Sequence, residues 1–270
     1  MRIAAIDSSG LVASVAILDG ENILAQYSVN YKKTHSQTLL PMLAEITQMT
    51  EFPLDGLDAV AVAKGPGSFT GLRIGSATAK GIGLALDKPL IEVPTLDAMA
   101  YQLFGVQKVI CPMMDARRGQ VYSGLYTFEQ KDGTSVFRVL MPQSALVVEE
   151  IIAKINAIGR EVVYLGDGVP VHMDTLKAKT EPAFEFAPAF AARQNAAALA
   201  CLAEVYYREG KIVTAAEHRP DYLRLSQAER ERAQRESEVA ENAACGNDGQ
   251  NNAAGKNALA GNDGKEDGQA

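Results

Sequence analysis

Gly65-Pro66-Gly67-Ser68-Phe69-Thr70-Gly71-Leu72-Arg73-Ile74-Gly75 follows a short apolar run, Ala59–Lys64, and opens a helical pattern that reaches Leu86 before Pro89. A glycine-rich join between strand and helix is the usual setting for a phosphate cradle. The spacing fits neither common cradle. Leu72 stands where a P-loop needs lysine, and Gly65, Gly67 and Gly71 run one residue too long for the dinucleotide fingerprint. Within the helix Gly71, Gly75, Ala79 and Gly83 recur every fourth residue, which leaves one face nearly bare backbone. Glycine inside a helix costs about 1 kcal/mol relative to alanine, so the row implies a close neighbour. Two neighbours suit it: another helix of this chain, such as Thr34–Met49, or a helix of a partner protein.

Outward from this stretch the first third reads as three strands, Arg2–Asp7, Leu11–Leu18 and Asn22–Val29, separated by turn residues. The helix Thr34–Met49 follows, with Leu39, Leu43 and Ile46 on one stripe and Leu40, Met42 and Met49 widening it. Strand Leu90–Val93 and a helix near Leu96–Phe104 complete this half. The second half restarts the plan with strands Lys108–Met114, Gln120–Phe128 and Thr134–Met141. Helix Ala145–Ile158, strand Glu161–Leu165 and a helix from about Ala191 to Arg208 come next. The order strand-strand-strand-helix-strand-helix occurs twice, and the first strand of each copy ends in an aspartate, Asp7 and Asp115. This is a repeat of element order, not of sequence identity.

The chain of 270 residues divides accordingly into a first subdomain, 1–104, a second, 105–225, and a segment 226–270. Ser226–Glu241 is charged without an apolar stripe. Asn242–Ala270 is Asn, Ala, Gly and Asp, with Gly-Asn-Asp-Gly at 246–249 and 261–264; such composition predicts disorder. Net charge is −7, but five basic and nine acidic residues fall in the last segment, leaving −3 for the body. Nucleic-acid binding by the whole chain is therefore disfavoured unless a local basic patch exists. Cys111, Cys201 and Cys245 form no Cys-x-x-Cys, a reducing cytoplasm is the expected compartment, and no run approaches the ~20 apolar residues of a membrane span.

Two further stretches carry candidate chemistry. In Ile3-Ala4-Ala5-Ile6-Asp7-Ser8-Ser9-Gly10 a small turn after a strand can aim amides and hydroxyls at a phosphate while Asp7 approaches a metal; an ordinary Asp-initiated turn has the same composition. In Asp115-Ala116-Arg117-Arg118-Gly119, a carboxylate and two guanidiniums at a strand end can hold an anion or an acidic partner loop, or form a solvated Asp–Arg pair. His35, His172 and His218 give no helical metal pair, and Gly-x-Ser-x-Gly is absent. No catalytic residue and no metal site can be assembled from spacing.

Asp7-Ser8-Ser9, His35-Ser36-Gln37 with Leu39-Leu40-Pro41, the run Gly65–Gly75, Asp115-Ala116-Arg117-Arg118 and Pro220-Asp221-Tyr222-Leu223-Arg224 together resemble the bacterial TsaB (YeaZ) family over about residues 1–230. The resemblance implies an actin-like ATPase (ASKHA) fold of two subdomains, each with a mixed β-sheet and flanking helices. It also implies a cytoplasmic, non-catalytic part in making threonylcarbamoyladenosine, the modified base beside the anticodon of tRNAs reading ANN codons. The implied partners are TsaD, which holds the metal and transfers the threonylcarbamoyl group, and the P-loop ATPase TsaE, with tRNA contacted indirectly. ATP and a metal ion belong to the complex, with none held securely by this chain. The expected partner interface is Ser36, Leu39, Leu40, Leu43, Thr70, Gly71, Leu72, Arg73, Gly75, Ser76, Ala79 and Gly83. Residues near a nucleotide would be Asp7, Ser8, Ser9, Asp115, Arg117 and Arg118. The alternatives are a nucleotide-dependent ATPase or kinase using Asp7 and Asp115, and a homodimer through the same helical face.

Overall fold

In the computed structural model, residues 1–31, 34–224 and 235 are described. Met1–Arg224 forms one compact unit. The helix-permissive and disordered stretches expected in 226–270 lie outside the described residues, Arg235 apart, as does Cys245.

The first half begins with β1 (Arg2–Asp7), β2 (Ala13–Asp19) and β3 (Asn22–Val29), then a 3-10 turn at His35–Gln37 and α1 (Leu39–Met49). It continues with β4 (Ala59–Gly65), α2 (Phe69–Leu86), β5 (Leu90–Pro94) and α3 (Thr95–Tyr101). The second half holds β6 (Val109–Arg117), β7 (Gln120–Lys131), β8 (Thr134–Val147), α4 (Val148–Ile158), β9 (Val162–Leu165), α5 (Gly168–Lys179), β10 (Phe184–Phe186) and α6 (Ala196–Arg208).

The two halves share one topology. The sheets run β3-β2-β1-β4-β5 and β8-β7-β6-β9-β10. In each, the first three strands pair antiparallel while the fourth and fifth add parallel to the first. Central strands β1 and β4 are buried on both faces, which explains their unbroken apolar runs. α2 starts where the Ser68 hydroxyl accepts from the Gly71 amide and stops at Asp87 in the left-handed region. Asn195 caps α6 by accepting from the Ala197 and Ala198 amides at 2.9 and 3.2 Å.

Several elements differ from the sequence reading: α1 and α6 start about five residues later than expected, and β6 and β8 run on to Arg117 and Val147. The expected helix at Ala145 starts at Val148, because β8 extends through Val147. α5, absent from that reading, is kinked at His172 and lacks a continuous apolar stripe. β10 has three residues, too few to show alternation.

Packing crosses the expected boundary between 104 and 105. α1 and α2 cover one face of the first sheet, where Leu39, Leu43, Ile46 and Ala79 meet Ile6, Val15, Ile17 and Val62. The opposite face is covered by α6, with Ala196, Leu199, Ala200 and Ala203 against Ile3, Ala5, Ala16 and Ala61. α3, in turn, buries Leu96, Met99 and Ala100 against Ile110, Met114, Tyr126 and Phe128 of the second sheet. Each half thus gives its last helix to the other. Between these helices Asp97 is buried, accepting from Tyr126 Oη and Tyr206 Oη at 2.9 Å each. Burial pushes its carboxyl above the ordinary range, and the two hydroxyls pull it partly back. Among the described residues no helix is long and apolar enough to cross a membrane.

Candidate functional site

β1 delivers Asp7, Ser8 and Ser9 into a turn buried inside the chain. Asp7 Oδ1 accepts from the Ser9 amide at 2.9 Å and the Ser9 hydroxyl at 2.6 Å, while Oδ2 is buried without a partner. Desolvation raises the Asp7 pKa, opposed by the Ser9 hydrogen bonds and by His35. The His35 Nε2 atom lies 2.9 Å from the Gly10 carbonyl oxygen. Ser9 is bonded to Asp7 and His35 to Gly10, so these three side chains do not form a Ser-His-Asp relay, which requires the imidazole between the other two.

The glycine row of α2 lies directly on this turn. Ser8 Oγ donates to the Gly71 carbonyl at 2.9 Å, and the Ser68 amide donates to the Ser9 carbonyl at 2.7 Å. A methyl group at Gly67 would overlap the Ser9 carbonyl, one at Gly71 the Ser8 carbonyl, and one at Gly75 the Ser8 hydroxyl. Gly10 on the far side is packed against the Gln194 carboxamide. The Ser8 and Ser9 hydroxyls and the Ser9 and Ser68 amides all serve the chain itself. The first turn is an Asp-initiated turn with a helix sealed over it.

The second turn occupies the equivalent place and is open. Asp115, Arg117 and Arg118 are exposed. Arg117 and Arg118 have φ of +64° and +56°, a left-handed geometry costing a non-glycine residue roughly 1 kcal/mol or more. Asp115 Oδ1 accepts from the Arg117 amide at 2.7 Å, and the Asp115 amide donates to Asp167 Oδ1 at 3.1 Å. The carboxylate thus holds turn backbone; among the described residues it makes no ion pair with either arginine, so the solvated Asp–Arg pair does not describe it. Burial raises the Asp167 pKa, with the Asp115 amide and Arg193 opposing. Arg224 Nη1 reaches the Ala116 carbonyl at 2.7 Å. No group of three or more His, Cys, Asp or Glu is gathered for a metal among the described residues.

The helical face needs correction. Gly71, Leu72, Gly75, Ser76, Ala79 and Gly83 of the expected interface are buried within the chain, as are Leu39 and Leu43. The bare groove is filled by Ser8 at one end and by Lys88 and Leu90 at the other, so its close neighbour is this chain's own turn and β5. Ser36, Leu40, Thr70 and Arg73 are exposed. Beside them lie residues the sequence reading missed: Met49 and Leu84, each 70% exposed, with Ala77, Gly81 and Ala85. A side chain at Gly81 would meet open space. The signal was present, since Ala77, Gly81 and Ala85 form a second four-residue row offset by two from the first.

Two copies of one mixed-sheet unit, one turn sealed and the other open, define an actin-like ATPase fold. Comparison with known proteins narrows the class. The sequence profile described as "TsaD: tRNA N6-adenosine threonylcarbamoyltransferase" matches residues 22–232. The chain is 32% identical over 232 residues to the tRNA threonylcarbamoyladenosine biosynthesis protein TsaB of Bacillus subtilis (strain 168), covering 85% of this chain and 96% of that protein. For the protein of the same description from Escherichia coli (strain K12) the values are 30% over 227 residues, 83% and 95%. A solved structure from Pseudomonas aeruginosa, of an uncharacterized protein with similarity to peptidase YEAZ, superposes with a TM-score of 0.70 at 26% identity, over 83% of this chain and 99% of that one. The chain belongs to the TsaB (YeaZ) family.

Proposed function

We propose that this chain is a non-catalytic, cytoplasmic accessory subunit for threonylcarbamoyladenosine formation on tRNA, acting through a heterodimer with TsaD and in concert with TsaE. The observation that carries the reading is the sealed first turn. Where an actin-like enzyme needs free donors for phosphate, this chain uses Ser8, Ser9 and Ser68 to seat its own helix. ATP and its metal then belong to the partners.

The docking surface is the outer face of α1 and α2: Leu40 and Met49 from the first helix, and Ala77, Gly81 and Leu84 from the second. The small row Ala77, Gly81, Ala85 allows a partner helix close approach, and the exposed leucines and methionine supply apolar area. A homodimer through this face is the expected state when TsaD is absent.

Reconstitution tests the reading: tRNA modification is measured with each subunit omitted in turn. Omission of this chain should abolish modification, and this chain alone should have no activity. ATP turnover by the purified chain that vanishes in Asp7→Ala would overturn the assignment. Gly81→Leu, which fills open space, should leave the monomer folded while abolishing co-purification with TsaD; retained co-purification would move the docking face elsewhere.

A further inference from the structure

Arg73, Phe69, Tyr222, Arg224, Arg117 and Arg118 form a continuous strip built from three separate parts of the fold. The Arg73 guanidinium lies 4.6 Å from the Phe69 ring centre. That ring packs against Tyr222 at 4.8 Å between centroids. Two residues on, Arg224 crosses to the Ala116 carbonyl, immediately before Arg117 and Arg118. The segment before Arg224 is pinned to the body by the Asp221 amide, which donates to the Lys64 carbonyl at 2.6 Å. Among the described residues none of the four arginines is in an ion pair. Of the nearby acids, Asp115 is turned to the Arg117 amide and Asp221 is only partly exposed.

From this arrangement we infer that the strip is an RNA-binding surface for this chain. Guanidiniums flanking an exposed ring suit a phosphodiester backbone with unstacked bases, which need both charge and a stacking platform; Tyr222, 38% exposed, supplies the platform. An acidic peptide would need the charge alone. The arginines at 117 and 118 occupy left-handed positions that glycine or asparagine would fill more easily, so the turn holds two cations outward at a cost to the fold. The strip also gives a −3 body the local basic patch that nucleic-acid contact requires. The inference deepens the proposed function by placing the RNA on this subunit, and it rests on that reading only for the choice of tRNA as the RNA.

The test uses the full chain and a labelled anticodon stem-loop RNA of an ANN-reading tRNA, titrated by fluorescence anisotropy from 20 to 200 mM salt. A variant carrying Arg117→Asn and Arg118→Gly fits the turn at least as well as the native residues, so its thermal midpoint should be equal or higher. Its RNA affinity should nevertheless fall roughly tenfold, and the salt dependence should flatten by about 1.4 log units per log unit for two lost phosphate contacts. Tyr222→Leu should weaken binding with the salt slope unchanged, and Arg208→Glu, remote from the strip, should do nothing. Unchanged affinity and slope in the double variant would overturn the inference, as would absence of RNA binding by the native chain at 20 mM salt. Loss of TsaD capture with RNA affinity intact would also overturn it, identifying an acidic-protein surface instead. No modification step enters these readouts, so a failed reconstitution and a failed titration are separate results.

Discussion

The turn after β1 and the turn after β6 stand at the same place in two copies of one topology, yet one is core and the other is surface. Side-chain size at a few positions makes the difference. Ser8 and Ser9 are small enough for α2 to lie on them, and Gly67, Gly71 and Gly75 remove the atoms that would hold it off. In the second copy the Asp115 amide is held by Asp167, the Arg117 amide by Asp115 and the Ala116 carbonyl by Arg224, leaving the arginines outside. Topology sets where a turn can meet a ligand; packing decides whether it is free to do so.

The contrast can be broken most severely at Gly71. Gly71→Val drives a side chain into the Ser8 carbonyl, where backbone cannot yield, and should cost at least about 3 kcal/mol. That corresponds to a fall of roughly 6–12 °C in the thermal midpoint. Gly75→Leu should destabilise the monomer similarly by meeting the Ser8 hydroxyl. A circular-dichroism melt of either variant indistinguishable from the native chain would mean that α2 does not seal the turn.

Asp97→Ala tests what holds the copies together. It strands the Tyr126 and Tyr206 hydroxyls in the interior, and each unsatisfied group costs about 1–3 kcal/mol. Urea denaturation should show a loss of roughly 2–4 kcal/mol, whereas Tyr206→Phe, which leaves Asp97 one partner, should lose about 1 kcal/mol.

Asp7 offers a smaller and subtler test. Its folded pKa is raised, chiefly by desolvation. Between the unfolded and the folded value the native state therefore binds the extra proton, and stability falls as pH rises through that window. Asp7→Asn keeps an oxygen for the two Ser9 donors and removes the ionisation. Its stability, followed by urea denaturation across pH 4–7, should fall less with rising pH than that of the native chain. Parallel profiles would show that the sealed turn does not disfavour the charge. The smallest effect is expected on the open side, where Arg118→Gly relieves a left-handed arginine and should raise stability by about 1 kcal/mol.

The duplicated order was legible because Gly10, Asp19-Gly20 and Gly65-Pro66-Gly67 punctuate short apolar runs that match real strands. α5 was not, since its kink at His172 breaks the periodicity that marks a helix. The orientation of α2 was the harder loss. Gly71-Gly75-Ala79-Gly83 and Ala77-Gly81-Ala85 are both four-residue rows, and only the presence of Ser8 beneath the helix tells which faces inward. Asp115 and the two arginines were legible as a group. That the acid would hold the Arg117 amide, in a turn also fastened by Asp167 fifty-two residues away, depends on contacts that spacing does not show.

The traded helices α3 and α6 carry a consequence for any attempt to divide the protein. Scission near residue 104 would strip α6 from one fragment and α3 from the other, baring Ala5, Ala16 and Ala61 on the first and Tyr126 and Phe128 on the second. Neither fragment should be soluble when expressed singly, while the pair made together should reassemble. Two modules of one topology are recognisable here, but the crossover has made them mutually dependent, like clasped hands that cannot be parted one finger at a time.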